Sequence, residues 1–141
     1  MSRIVAIDYG QKRAGIAVTD PLRIFATGLT TVHPEKLLIF LKEYNNKEHI
    51  ELFVIGYPKQ VNNMESKAIQ HIKPFINKLK KEFPEIPVEL MDERFTSKIA
   101  KQTMIDSGLK KKDRQNKELV DKISATIILQ SYLEYINFQN S

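Results

Sequence analysis

Ile4 to Ile7 forms an uninterrupted apolar run, as expected of a central strand covered on both faces. Two more strand-like segments, "AGIAVT" (Ala14 to Thr19) and "IFATGLTTV" (Ile24 to Val32), follow after short turns. Three strands joined this tightly make an antiparallel meander, and the remaining chain has to cover it. The first run stops on a carboxylate, Asp8, and the chain then turns through Tyr9 and Gly10 and crosses Lys12 and Arg13. A purely structural hairpin is served by Asn-Gly or Asp-Gly at its tip. An acid at the strand end, two residues ahead of the glycine, suggests a group held on a rigid element for chemistry.

Downstream, Pro34 stands at a plausible first helical position, and Leu37, Leu38, Leu41 and Tyr44 recur at helical spacing until the polar "NNKEH" ends the helix. "ELFVIGYP" reads as a buried strand. Ala68 to about Phe83 keeps a three/four apolar spacing with Pro74 inside, where a kink or restart is expected. "PVELMDER" alternates, so it is a fifth strand nearer an edge. A short helix capped by Thr96 or Ser97 and closed by Gly108, a basic polar loop, and an amphipathic helix from Leu119 to about Phe138 complete the order βββαβαβαα. The expected class is α/β: a five-stranded mixed sheet, three antiparallel strands and then two joined through helices, flanked by helices.

The chain of 141 residues is one domain's worth, 1–141, and can bury a core without disulfides or metal. It has no cysteine, which excludes thiolate nucleophiles and thiolate zinc sites. The start "MSRIVAID" lacks a secretory h-region and no apolar run approaches a membrane span, so a cytoplasmic protein with no membrane partner is expected. With 22 Lys+Arg against 17 Asp+Glu, the net charge of +5 leans toward a polyanionic partner.

Acids fall at element ends: Asp8, then Asp92 and Glu93, then Asp121 in the first turn of the last helix. Strand ends in open α/β sheets are where ligands usually bind. Ser124 and Ala125 follow one turn after Asp121, and small residues there let the helix lie close to the sheet and bring Asp121 toward Asp8. Three carboxylates within about 5 Å repel pairwise by roughly 3 kcal/mol at an effective dielectric of 20, and so share protons or hold a divalent cation. Oxygen-only ligands favour Mg²⁺ or Mn²⁺. Taken singly, each acid also has a structural explanation, in turn chemistry for Asp8 and the helix dipole for Asp121. Asp92 and Glu93 point to opposite faces of an extended strand, so one of them joins Asp8; Glu93 is preferred and Asp92 is the fallback.

Cations flank every acid: Lys12 and Arg13, Arg94 and Lys98, and Lys110, Lys111, Lys112 and Arg114 in the loop before Asp121. Such a distribution suits phosphate contacts to nucleic acid. Gly10 and Gly15 read as positions that keep side chains out of the way of an approaching phosphate backbone. His33, His49 and His71 have no ligand-like spacing and read as structural or surface residues; without G-x-S-x-G, serine-hydrolase machinery is not expected.

Taken together, "AIDYGQKRAGIAVTD", "VIGYP", "MDERFTS" and "VDKISATIILQSYLE" resemble the YqgF family, also called RuvX, over nearly the whole chain. The resemblance implies an RNase H-like fold and a metal-dependent nuclease. Its catalytic, metal-binding acids would be Asp8, Glu93 and Asp121, and its substrate the 5′ end of pre-16S rRNA, or branched (Holliday junction) DNA in an older proposal. The loop after "GYP" departs from the family's frequent Asp-Gly, with Asn62 and Asn63 in its place. Two other classes stay open: a nucleic-acid-binding module without catalysis, and the actin-like or sugar-kinase family, whose phosphate-binding hairpin "DYGQKRAGIAVTD" also resembles. The oligomeric state, monomer or homodimer, is open as well.

Overall fold

In a computed structural model, the structure describes residues 2–20, 22, 25–57, 67–92 and 116–139. The strands are β1 (Arg3–Tyr9), β2 (Ala14–Thr19), β3 (Ala26–Val32), β4 (Ile50–Tyr57) and β5 (Val88–Asp92). The helices are α1 (Pro34–Lys47), α2 (Lys67–Glu82) and α3 (Lys117–Gln139). Their order matches the sequence expectation wherever residues are described; the short helix expected between Thr96 and Gly108 lies outside the described residues.

The strands form one five-stranded sheet in the order β3-β2-β1-β4-β5. β1, β2 and β3 pair antiparallel, whereas β1–β4 and β4–β5 are parallel. Parallel neighbours require a crossover, supplied here by helices as the apolar spacing foretells. β5 lies at an edge, which fits its alternating pattern, and β1 lies at the centre, which fits its continuous apolar run.

Strand alternation divides the core into two layers. Val5, Ile7, Ile16, Phe53 and Ile55 face Leu37 and Leu41 of α1 and Ile72, Phe75, Ile76 and Leu79 of α2. Ile4, Ala6, Ala17 and Val54 face Ala125, Ile128, Leu129 and Leu133 of α3. The alanines on that second face are small, so α3 can lie close to the sheet, while the bulkier first face carries two helices. Pro74 is accommodated inside α2, which runs unbroken from Lys67 to Glu82.

Two boundaries differ from expectation. α1 continues through Asn45 and Asn46, because the Asn45 side chain accepts the Ile50 N–H at 2.8 Å and ties the helix end to β4. His33 caps the other end, its ring Nδ1 accepting from Glu35 N–H at 3.2 Å, in keeping with a structural histidine. β3 begins at Ala26 rather than at Ile24, which lies outside the described residues; Phe25, just ahead of the strand, has its N–H accepted by Asp20 at 2.7 Å. Among the described residues no helix is long and apolar enough to cross a membrane.

Candidate active site

The strand does not stop at Asp8. β1 runs on through Tyr9, and Gly10 N–H donates to the Arg13 carbonyl at 2.9 Å, so the tip of the β1–β2 hairpin is Gln11 and Lys12. Asp8 therefore sits within a paired ladder, opposite Gly15. A carboxylate on a paired strand is more firmly oriented than one on a turn. Ala6 and Ala17 belong to the α3-side core, so alternation places Asp8 and Gly15 on that same side. Tyr9 points the other way and stacks on Phe75 with ring centroids 4.5 Å apart.

α3 begins two residues earlier than its apolar periodicity suggests. Asn116 is its cap: the side-chain Oδ1 accepts from Glu118 N–H at 3.1 Å and from Leu119 N–H at 3.3 Å. Asp121 is thus the fifth helical residue, beyond the first turn, where Glu118 is the acid. The expectation of a first-turn Asp121 is corrected, and with it the helix-dipole explanation weakens, since that effect falls off within the first turn.

Gly15 explains how Asp121 reaches the sheet. A Cβ at Gly15 would overlap the Asp121 carbonyl, so the helix backbone rests on the strand at this point. A second contact lies alongside, where a Cβ at Gly28 would come within 2.8 Å of Lys122 Cγ. The Thr31 hydroxyl donates to the Glu118 carbonyl at 2.7 Å and pins the first turn of α3 to β3. The reading of Gly10 and Gly15 as clearance for phosphate is therefore corrected: Gly15 is filled by helix backbone, and a Cβ at Gly10 would crowd the Arg13 carbonyl of its own turn. Ser124 and Ala125, both buried, contribute to the close approach as expected.

The result is a corner shared by Asp8, Arg13 and Asp121. Arg13 Nε donates to Asp121 Oδ2 at 2.8 Å, with the two side chains 32% and 23% exposed. Asp8 is half-buried next to this pair, across the ladder from the glycine on which Asp121 rests. Lys12 is exposed at the hairpin tip.

Glu93, Arg94, Lys98, Lys110, Lys111, Lys112 and Arg114 lie outside the described residues, and so does the side chain of Asp92. Among the described residues, no group of three or more His, Cys, Asp or Glu is arranged to hold a metal. Two of the three expected acids are thus brought to one corner. Of the other histidines, His71 contacts the Gln11 amide and the His49 carbonyl accepts the Arg3 N–H at 2.8 Å, contacts that tie elements together.

Two features were missed in the sequence although signals existed. A glycine inside a strand marks close approach of another backbone, which is what Gly15 does. Lys122 sits beside Asp121 in sequence, and its stem crosses Gly28 next to a cleft of about 290 Å³ lined by Thr30, Thr31, Asn116 and Glu118.

The fold and this corner define an RNase H-like architecture of the kind found in junction resolvases. Thermus thermophilus RuvC bound to a Holliday junction superposes with a TM-score of 0.59 at 15% identity, covering 96% of each chain. The fowlpox virus Holliday junction resolvase gives 0.58 at 15% identity, covering 94% of this chain and 99% of its own. At such identities the likeness speaks to fold alone.

The chain belongs to the RuvX family, described as Holliday junction resolvase, whose model matches residues 2–135. A relative from Phocaeicola vulgatus, named "Putative pre-16S rRNA nuclease", is 63% identical over 134 residues, covering 95% of this chain and 96% of its own. One from Bacteroides thetaiotaomicron with the same name is 62% identical over 138 residues, covering 98% of this chain and 100% of its own.

Proposed function

We propose that this chain is a divalent-metal-dependent endonuclease that hydrolyses phosphodiester bonds in structured RNA, its substrate being the 5′ end of pre-16S rRNA during ribosome biogenesis. The observation that carries this reading is the seating of Asp121 on Gly15, opposite Asp8, which gathers two carboxylates and a guanidinium at one corner of the sheet. The names of the relatives support the RNA substrate.

The donor set fits a hard cation: the ligands at the corner are carboxylate oxygens, and the chain has no cysteine to supply a thiolate. Asp8 and Asp121 would hold Mg²⁺ or Mn²⁺, with Glu93 as the proposed third ligand. Bound there, the ion would lower the pKa of a water and stabilise charge on the phosphate. Support for Glu93 over Asp92 comes from the last turns of the β5 pleat. Met91 packs with the α3-side core, whereas Tyr57, the register partner of Asp92, packs with the opposite one. A pleat continued one period beyond Met91 would put Glu93 on the side of Asp8 and Asp121.

The protein's own groups have separate tasks. Asp8 is held by the β1–β2 ladder and Asp121 by the Gly15 seat, so the distance between them is set by sheet and helix rather than by a loop. Arg13 and Lys12, with Arg94, Lys98 and the basic run of Lys110, Lys111, Lys112 and Arg114, would meet backbone phosphates, since cations beside the acids offset their repulsion of a polyanion. Cleavage of precursor RNA and of four-way junction DNA in Mn²⁺, compared with EDTA, tests the reading. RNA cleavage that requires the metal supports it; cutting of the junction alone would favour resolution, which needs two symmetric sites and hence a dimer.

A further inference from the structure

Among the described residues, Arg13 uses one edge of its guanidinium and keeps the other. Its Nε donates to Asp121, but its two terminal amino groups make no hydrogen bond among the described residues. Arginine–carboxylate pairs are frequently bidentate, and a simple ion-pair staple would gain from closing both bonds. Here the bond is single, and the side chain keeps 32% of its surface in contact with solvent. Arg13 also immediately precedes β2, its carbonyl accepting the Gly10 N–H at the hairpin end, so the group that fixes Asp121 is itself fixed by the hairpin that carries Asp8.

We propose that Arg13 is a positioning residue for Asp121 and, through its terminal amino groups, a ligand for a substrate phosphate beside the acid pair. The proposal rests on the nuclease reading and deepens it, because one planar cation would then hold a carboxylate and a phosphate in a fixed relation. Five N–H donors on a rigid fork allow this, and guanidinium stays charged at any pH the protein meets. A lysine ammonium is a compact charge on a flexible stem and does not orient two anions in one plane.

The test compares Arg13→Lys and Arg13→Gln with wild type in two measurements. RNA binding in EDTA across a salt series reads phosphate contacts without catalysis: R13Q should lower the slope of log K against log salt by about 0.7 to 0.9, the loss of one contact, while R13K keeps the slope. In Mn²⁺, R13K should lower kcat tenfold or more with KM near the wild-type value, because charge survives but orientation does not. A wild-type slope in R13Q, or full kcat in R13K, would overturn the proposal; a lowered melting temperature with both readouts unchanged would leave only an ion-pair staple and overturn it equally. Wild-type protein that binds RNA but never cuts it would strike the nuclease reading, with the EDTA slopes still deciding the phosphate contact.

Discussion

The backbone of Asp121 rests on the Cα of Gly15, with no room for even a methyl group between them. Gly15 lies opposite Asp8 in the β1–β2 ladder, so this single contact sets the separation of the two acids.

Gly15→Ala should therefore damage the site out of proportion to its size. The new methyl meets backbone atoms of α3, which cannot swing aside as a side chain could, so the helix has to lift. Overpacking of this kind costs about 1–3 kcal/mol. A misplacement near 1 Å can cost about a hundredfold in rate. Gly28→Ala is the control, because the first atom it meets is Lys122 Cγ on a flexible stem. Thermal unfolding and cleavage rates of the two variants should separate them, Gly15→Ala being the worse in both.

Asn116→Ala removes the cap of α3, where one side-chain oxygen accepts from the N–H groups of Glu118 and Leu119. A loss of about 1 kcal/mol is expected in denaturant unfolding. Asn116→Asp should retain most of that stability, since an aspartate oxygen caps as well as an asparagine oxygen.

Burial against Phe75 raises the pKa of Tyr9 above the ordinary tyrosine value. A raised pKa in the folded state means that the folded protein holds this proton more tightly than the unfolded chain does. The associated stability is complete below the unfolded value near 10 and is lost as pH rises from there through the folded pKa. Tyr9→Phe should flatten the alkaline fall in stability measured by urea unfolding above pH 10, and should leave the profile near neutrality unchanged in shape.

Much of the fold was legible because its signals are local. The continuous apolar run of β1, the alternation of β5 and the three/four spacing of α1 and α2 each identify an element from its own residues. The site was only half legible. Asp8 and Asp121 could be singled out by placement near element ends, but Asp8 looked like a strand terminus because the Gln11–Lys12 tip carries neither glycine nor asparagine. Asp121 looked like a first-turn acid because the cap, Asn116, lies in a polar run with no apolar periodicity to announce the helix. The Arg13–Asp121 bond joins residues 108 positions apart, and no local pattern encodes it.

The central claim is that Asp8 and Asp121 act together in metal-dependent cleavage, and Asp8→Asn and Asp121→Asn test it most directly. The Arg13–Asp121 pair is partly exposed, so losing it should cost no more than about 1 kcal/mol, and a folded Asp121→Asn protein is expected. With precursor RNA in Mn²⁺, wild type should cleave, and each variant should be slower by at least about a hundredfold, as loss of a direct ion ligand exceeds the 10–100-fold typical of outer-shell changes. Cleavage by either folded variant at the wild-type rate would contradict the account.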